Sequence, residues 1–207
     1  MTALRGLPGG RAGRTWLQRR LTTARRAAEL LRGKLRVLQR EQESARREAD
    51  SAAGEWAATW AEAETWLVRA VLLGGRRALV HAAASEPAEV DVVWRVSMGV
   101  RHPVAATVHG GRTAPTAALP GNAALVQAAT AHRAALAAAA RYAAAAEARR
   151  RIDAEVTATR RRLRAVEDRW IPRLTGLLHQ VEESLAEAEL AEGNRLRWAH
   201  GVSRGAE

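Results

Sequence analysis

The chain lacks cysteine and phenylalanine entirely, and its 207 residues include only seven tryptophans and one tyrosine as aromatics. Without cysteine there is no disulfide, no thiol chemistry and no cysteine-ligated zinc or iron–sulfur centre. No run of about 18 uncharged apolar residues occurs, so we expect no direct membrane insertion. Residues 1–14 contain arginines but no apolar block before a cleavage site, so we expect no secretory signal and a cytoplasmic location.

Motifs that carry chemistry are missing as well. Lys34 follows Gly33, but Leu35 stands where a phosphate-binding loop needs serine or threonine. The histidines form no HxxxH or HExxH pair, and no Gly-x-Ser-x-Gly elbow is present. We therefore expect no catalytic residue, no cofactor, no metal site and no enzymatic activity.

Alanine and arginine dominate what is present. The chain contains 48 alanines, and 32 of its 33 basic residues are arginine. This composition suits long exposed helices, and it argues against an all-β fold, whose strands favour β-branched and aromatic residues. The sequence is therefore typical of a mainly helical protein.

Apolar residues recur every 3.5 residues in two long segments. From Leu17, alternate steps of four and three reach Leu73, and fifteen of the seventeen positions are apolar. This spacing predicts a coiled coil, and Gly74-Gly75 are expected to end its first helix. A second helix is expected to begin after a capping Asn122 and to bend at Pro172. The apolar stripe, here called the seam, comprises Leu17, Leu21, Leu31, Leu35, Leu38, Trp56, Trp66, Ile152, Val156, Leu163, Val166, Trp170, Leu177 and Val181.

The segment between the helices has a different pattern. Val90, Val92, Trp94 and Val96 alternate along one run, and a second run covers residues 104–109. The two runs predict a β-hairpin that turns between Gly99 and Pro103.

The predicted fold is therefore mainly α: a long antiparallel two-helix coiled coil with a small hairpin-containing middle segment. Its segments are a flexible basic arm (1–14), the first helix (15–73), the middle segment (74–121), the second helix (122–199) and a flexible tail (200–207). Pairing basic residues near Arg19 and Arg26 with Glu189 and Glu182 suggests an alignment in which paired residue numbers add to roughly 208.

Positive charge is concentrated in the first forty residues and in the second helix. Residues 1–40 hold eleven basic side chains and one acid, Glu29. This distribution predicts an acidic partner, which could be a protein cavity or a nucleic acid. A solvated exterior in an arginine-rich sequence is the simpler alternative. The candidate contact residues for a surrounding protein are Arg19, Arg20, Arg25, Arg26, Arg160, Arg161 and Arg162.

Three blocks of the sequence resemble the D-subunit family of V-type and archaeal A-type ATPases. They are residues 17–38 (LQRRLTTARRAAELLRGKLRVL), 98–103 (MGVRHP) and 159–174 (TRRRLRAVEDRWIPRL). Arg164 occupies the place where that family usually has asparagine. The residues that match the family signatures are Lys34, Gly99, Val100, Pro103, Arg161, Arg162, Ala165, Glu167, Ile171 and Pro172.

The resemblance implies a non-catalytic shaft that passes torque between a ring of A and B subunits and an ion-translocating membrane rotor. It also implies contact with the F subunit and with a funnel-shaped adaptor on the rotor, and a location at the cytoplasmic face of a membrane. The alternative is a basic coiled-coil nucleic-acid-binding protein, which would account for the net charge of +11 but not for the middle segment. We favour the shaft and expect no nucleic acid partner.

Overall fold

The computed structural model describes residues 10–82, 87–110 and 122–204. Helix α1 covers Gly10–Ala82, strands β1 and β2 cover Ala88–Ser97 and Val100–Gly110, and helices α2 and α3 cover Ala123–Arg164 and Ile171–Arg204. A π-helical turn, Ala165–Trp170, joins α2 to α3. The molecule is about 85% helical, which confirms the mainly α fold with two long helices and a central hairpin. No helix in these three ranges is long and apolar enough to cross a membrane.

The helix ends differ from the expected bounds. Helix α1 begins at Gly10, so residues 10–14 of the expected flexible arm are helical. An ion pair between Arg11 and Glu189, at 3.1 Å, holds this first turn against α3. Gly75 has φ 64° and ψ 178°, so the expected break is a kink inside α1 rather than its end. Helix α3 continues to Arg204, five residues beyond the expected end.

Asn122 caps α2 as expected. Its side-chain oxygen accepts a hydrogen bond of 2.8 Å from the Leu125 N–H, three residues into the helix. This bond satisfies one of the backbone donors that the first turn of a helix leaves unpaired. The predictions that fall on residues 1–9, 83–86, 111–121 and 205–207 lie outside the described residues.

The chain divides into two compact units. The first combines residues up to Leu35 with those from Thr159 onward. In it, Leu17, Leu21 and Leu174 form a buried cluster at the contact between α1 and α3. Three ion pairs cross between the two segments: Arg11 with Glu189, Arg14 with Glu182, and Arg32 with Glu167 at 2.5 Å. Because residue numbers rise on one helix as they fall on the other, the two segments are antiparallel.

The second unit, residues 36–158, packs α1 against α2 largely through alanine. Ala63 is buried with Ala131 and Ala135, and Ala70 is buried with Ala124 and Ala128. The order of these contacts is again antiparallel. Alanine methyl groups take little room, so the two helix backbones can approach closely. Arg141 also bonds Glu55, and Gln42 donates a 2.7 Å hydrogen bond to Asp153.

The expected helix alignment is wrong by about ten residues. The numbers of the ion-paired residues in the first unit add to 200, 196 and 199 rather than to 208. Arg14 rather than Arg26 therefore pairs with Glu182. Exposed ion pairs contribute only about 0–1 kcal/mol each, so they do not decide an alignment that the burial of leucines already sets.

The hairpin turns earlier than expected. Strands β1 and β2 pair antiparallel, and Met98 (φ 48°) and Gly99 (φ 82°) make the two-residue turn. Positive φ at both central residues is typical of a type I′ turn, the commonest kind in tight hairpins. Pro103 thus lies inside β2, opposite a register shift between Val93 and Trp94. A proline cannot donate to the strand ladder, and a β-bulge accommodates that loss.

The π-helical turn lies just before Pro172, which is the second residue of α3. The Ile171 N–H bonds the Val166 carbonyl, which lies five residues back instead of four. A proline removes a backbone donor, and its ring clashes with the carbonyl four residues earlier. The wider turn just before Pro172 is the local response to that clash, and it lies where the sequence predicted a bend.

Candidate interaction surfaces

Most of the predicted seam is removed from solvent. Six seam residues are buried (Leu17, Leu21, Leu38, Ile152, Val156, Leu163), and six are half-buried (Leu31, Leu35, Trp66, Val166, Leu177, Val181). Trp56 and Trp170 are exposed, by 36% and 47%. Trp56 stacks on Tyr142 of α2 with ring centres 5.3 Å apart. Contacts of the seam lie in both units: Leu17 and Leu21 pack between α1 and α3, and Trp66 packs on buried alanines of α1 and α2. Two of its tryptophans lie at the surface.

The seven arginines predicted to contact a surrounding protein all lie in the first unit and all are exposed. They are Arg19, Arg20, Arg25, Arg26, Arg160, Arg161 and Arg162. In the second unit, Arg149, Arg150 and Arg151 are ion-paired with carboxylates of α1 and α2. The first unit thus presents a basic surface, whereas this arginine triplet of the second unit is largely neutralised.

A network that sequence reasoning missed holds the hairpin to α2. The guanidinium carbons of Arg101 on β2 and Arg151 on α2 each lie 4.9 Å from the ring centre of Trp94 on β1. Arg151 also donates to the Arg101 carbonyl at 3.2 Å and to Glu147 at 2.6 Å. Hydrogen bonds from Arg150 and Arg151 lower the pKa of Glu147 to about 2, so this carboxylate stays charged at neutral pH. A tryptophan between two arginines in space has no signature in sequence spacing.

A second contact joins the hairpin to α1. The Ser97 hydroxyl at the end of β1 bonds Glu41. Beside it lies a cavity of about 630 Å³ between β2 and the two helices. His102 is buried at 4% exposure, and its Nδ1 lies 3.2 Å from the Pro103 carbonyl. Its Nε2 and Oε2 of Glu41 have no hydrogen-bond partner among the described residues.

The residues that match family signatures are concentrated at two irregular points of the backbone. Gly99, Val100 and Pro103 form the hairpin turn and the strand opposite the register shift. Ala165, Glu167, Ile171 and Pro172 lie in the π turn or directly after it. Lys34 is half-buried on α1. Two of the three matching blocks thus mark positions where the backbone departs from regular helix or strand.

No group of three or more histidine, aspartate or glutamate side chains in the described ranges is arranged to bind a metal ion. The structure combines long helices with a docked hairpin, and the arginines of the first unit form a basic surface. The family model described as the D subunit of ATP synthase matches residues 15–201, and the chain belongs to this family. It is a stalk component of an ATP synthase or ATPase complex. No curated protein matches the chain.

Proposed function

We propose that the chain is the central shaft of a V/A-type rotary ATPase and passes torque between its catalytic ring and its membrane rotor. The family match over residues 15–201 carries this proposal. In this assignment nucleotide chemistry belongs to the A and B subunits, and the chain itself is non-catalytic. The F subunit and a funnel-shaped adaptor on the membrane rotor are its other partners. The complex holds it at the cytoplasmic face of the membrane.

The contacts within each unit support a torque-bearing role. A shaft must resist the twisting of one helix against the other. In the first unit a leucine cluster and two ion pairs join α1 to α3, and a third ion pair joins α1 to the π turn. In the second unit Gln42, Glu55 and Trp56 of α1 each contact a residue of α2. Buried apolar side chains contribute about 1.5–3 kcal/mol each, far more than the exposed ion pairs.

The basic surface of the first unit supports contact with an acidic ring. Long arginine side chains at the surface attract acidic groups without fixing one geometry, because solvent screens the charges. Such an attraction lets a shaft turn, whereas large desolvated anchors on every side would hold it at one angle.

The absence of cysteine makes a direct test of rotation possible. An Arg25→Cys variant would be assembled into the complete complex and joined by a disulfide to a cysteine introduced into the catalytic ring. We expect the cross-link to arrest ATP hydrolysis and its reduction to restore activity. A matched cross-link from the shaft to the rotor adaptor should leave turnover intact, because both parts rotate together. Full turnover with the chain cross-linked to the ring contradicts the shaft assignment.

Helix continuity gives a second test. Proline at Leu31 or Leu163 is expected to abolish coupling between ATP hydrolysis and ion pumping, because it removes a backbone hydrogen bond and clashes one turn back. Nucleotide binding by the A and B subunits should remain, and alanine at the same positions is the control that keeps the helix. The rival nucleic-acid-binding function predicts duplex DNA binding that falls steeply with salt.

A further inference from the structure

An apolar groove opens in the first unit, between α1 and the π turn. It has a volume of about 340 Å³ and is lined mainly by Trp16, Arg20, Ala27, Val166, Trp170 and Leu174. We call it the tryptophan groove. Ligand pockets usually have volumes of about 300–1,000 Å³, so this groove has room for one or two side chains.

The π turn leaves the groove open. Val166 and Trp170 both belong to the turn that precedes Pro172, and Trp170 is 47% exposed. On the facing helix, the small side chains of Ala24 and Ala27 leave the space beside the indoles unfilled. Single π-helical turns inside α-helices occur often at functional sites. Exposed apolar surface concentrated in a concavity is typical of a docking site.

Basic side chains outnumber acidic ones around the tryptophan groove. Arg20 lies over the Trp16 ring, with its guanidinium carbon 5.2 Å from the ring centre. Arg19 and Arg26 stand four residues before and three after Thr23, which lines the groove, so they neighbour it on the helix surface. Arg173 follows Trp170 by three residues. Within the described ranges, none of these four arginines is paired with a carboxylate.

Two acids of the π turn, Glu167 and Asp168, offset part of this charge. Glu167 is engaged by Arg32 of α1, whose guanidinium lies 2.5 Å from the carboxylate. The groove therefore combines apolar walls with a rim on which basic groups outnumber acidic ones. An occupant that complements both must present an apolar side chain between acidic residues.

We propose that the tryptophan groove receives a leucine or aromatic side chain from an acidic segment of the catalytic ring. This inference rests on the proposed shaft function. A second copy is the rival occupant, because residues 182–192 of α3 also place leucines among glutamates. A dimer in sedimentation that Trp170→Ala dissociates would therefore overturn the proposal. A nucleic acid satisfies the arginines but supplies no aliphatic side chain to the groove.

The seven tryptophans provide a direct readout in the full-length protein. Their indole N–H signals, assigned by single substitutions, would be followed by NMR during titration with a glutamate-rich peptide that has one central leucine. We expect the Trp16 and Trp170 signals to shift together. Replacing the leucine by alanine, or the glutamates by glutamine, should each weaken binding about tenfold.

Three variants identify the groove as the site. Trp170→Ala should weaken peptide binding about tenfold, because it removes one wall. Ala27→Leu should also weaken it, because leucine fills the groove from α1 while keeping the helix. Trp198→Ala is the matched control: it removes a 75% exposed tryptophan from α3, and affinity should not change.

The proposal is overturned if the alanine peptide or a DNA duplex binds as tightly as the leucine peptide, since charge alone then explains binding. It is equally overturned if shifts appear on Trp66 or Trp94 and not on Trp16 and Trp170. Failure of the peptide while the Arg25→Cys cross-link to the ring still arrests turnover rejects the groove and leaves the shaft intact. If that cross-link also fails to arrest turnover, the shaft assignment falls with it.

Discussion

Truncating Leu17 tests the packing of the first unit most directly. Its side chain is 0% exposed and lies in a cluster with Leu21 and Leu174, flanked by Trp16 and Ile171. Leu17→Ala removes apolar surface and leaves a cavity that the surrounding helices fill only in part. Such substitutions cost about 2–5 kcal/mol, and we expect about 3 kcal/mol here because complete burial is offset by the solvent close to a two-helix contact.

The same helix supplies a matched control. Leu30 is 76% exposed, so Leu30→Ala removes little buried surface, and alanine is a slightly better helix former. We expect its free energy of unfolding to stay within about 0.5 kcal/mol of the parent. For a chain of this length, about 3 kcal/mol corresponds to a fall in Tm of about 6–12 °C.

Urea and thermal unfolding followed by circular dichroism in the far ultraviolet provide the measurement, with both variants compared at equal protein concentration. If Leu17→Ala and Leu30→Ala destabilise equally, Leu17 does not hold α1 against α3, and the seam is not the source of stability in this unit. A loss confined to Leu17→Ala confirms the packing.

Three further outcomes are expected. The pKa of Glu147 is lowered from 4.5 to about 2, so its ion pairs stabilise the fold fully at a pH above 4.5 and are lost as the pH falls toward 2. The Tm difference between the parent and Glu147→Gln should therefore be present at neutral pH and vanish in strong acid. Asp153→Ala leaves the amide of half-buried Gln42 without its acceptor and should cost about 1 kcal/mol in urea unfolding, whereas Asp168→Ala, at an exposed position, should cost almost nothing. Deleting residues 90–109 should leave the total helical signal per molecule unchanged while altering the ATPase rate of the assembled complex. A collapse of helicity would instead make the hairpin essential to the fold.

Hydrophobic periodicity predicted the helices because a helix places leucines and valines spaced by 3.5 residues on one face, where they can be buried together. Leu17 and Leu38 are fully buried, and Val156 is 2% exposed. The same spacing did not predict which tryptophans are buried. Trp170 is exposed because the π turn shifts the phase of the helix just where the stripe would have turned it inward.

The alignment of the two helices and the contacts between residues distant in sequence could not be predicted, for a different reason. Alanine repeats offer many nearly equivalent pairings of two helices, so the pattern around Ala63 and Ala135 selects none of them. The Arg101–Trp94–Arg151 contact depends on the turn at Met98-Gly99, where a methionine takes a positive φ that its residue type disfavours. The tryptophan groove likewise depends on the π turn, which the sequence did not predict.

The alanine lining of the second unit has a consequence for how its length can change. A methyl group has no rotamers and projects little, so one alanine face can slip along another with few interlocking side chains to stop it. Resistance to slipping then falls on isolated large or polar pairs, such as Trp56 with Tyr142 and Gln42 with Asp153. Adding one heptad to each helix between these two pairs should therefore lengthen the unit without changing the packing at its ends.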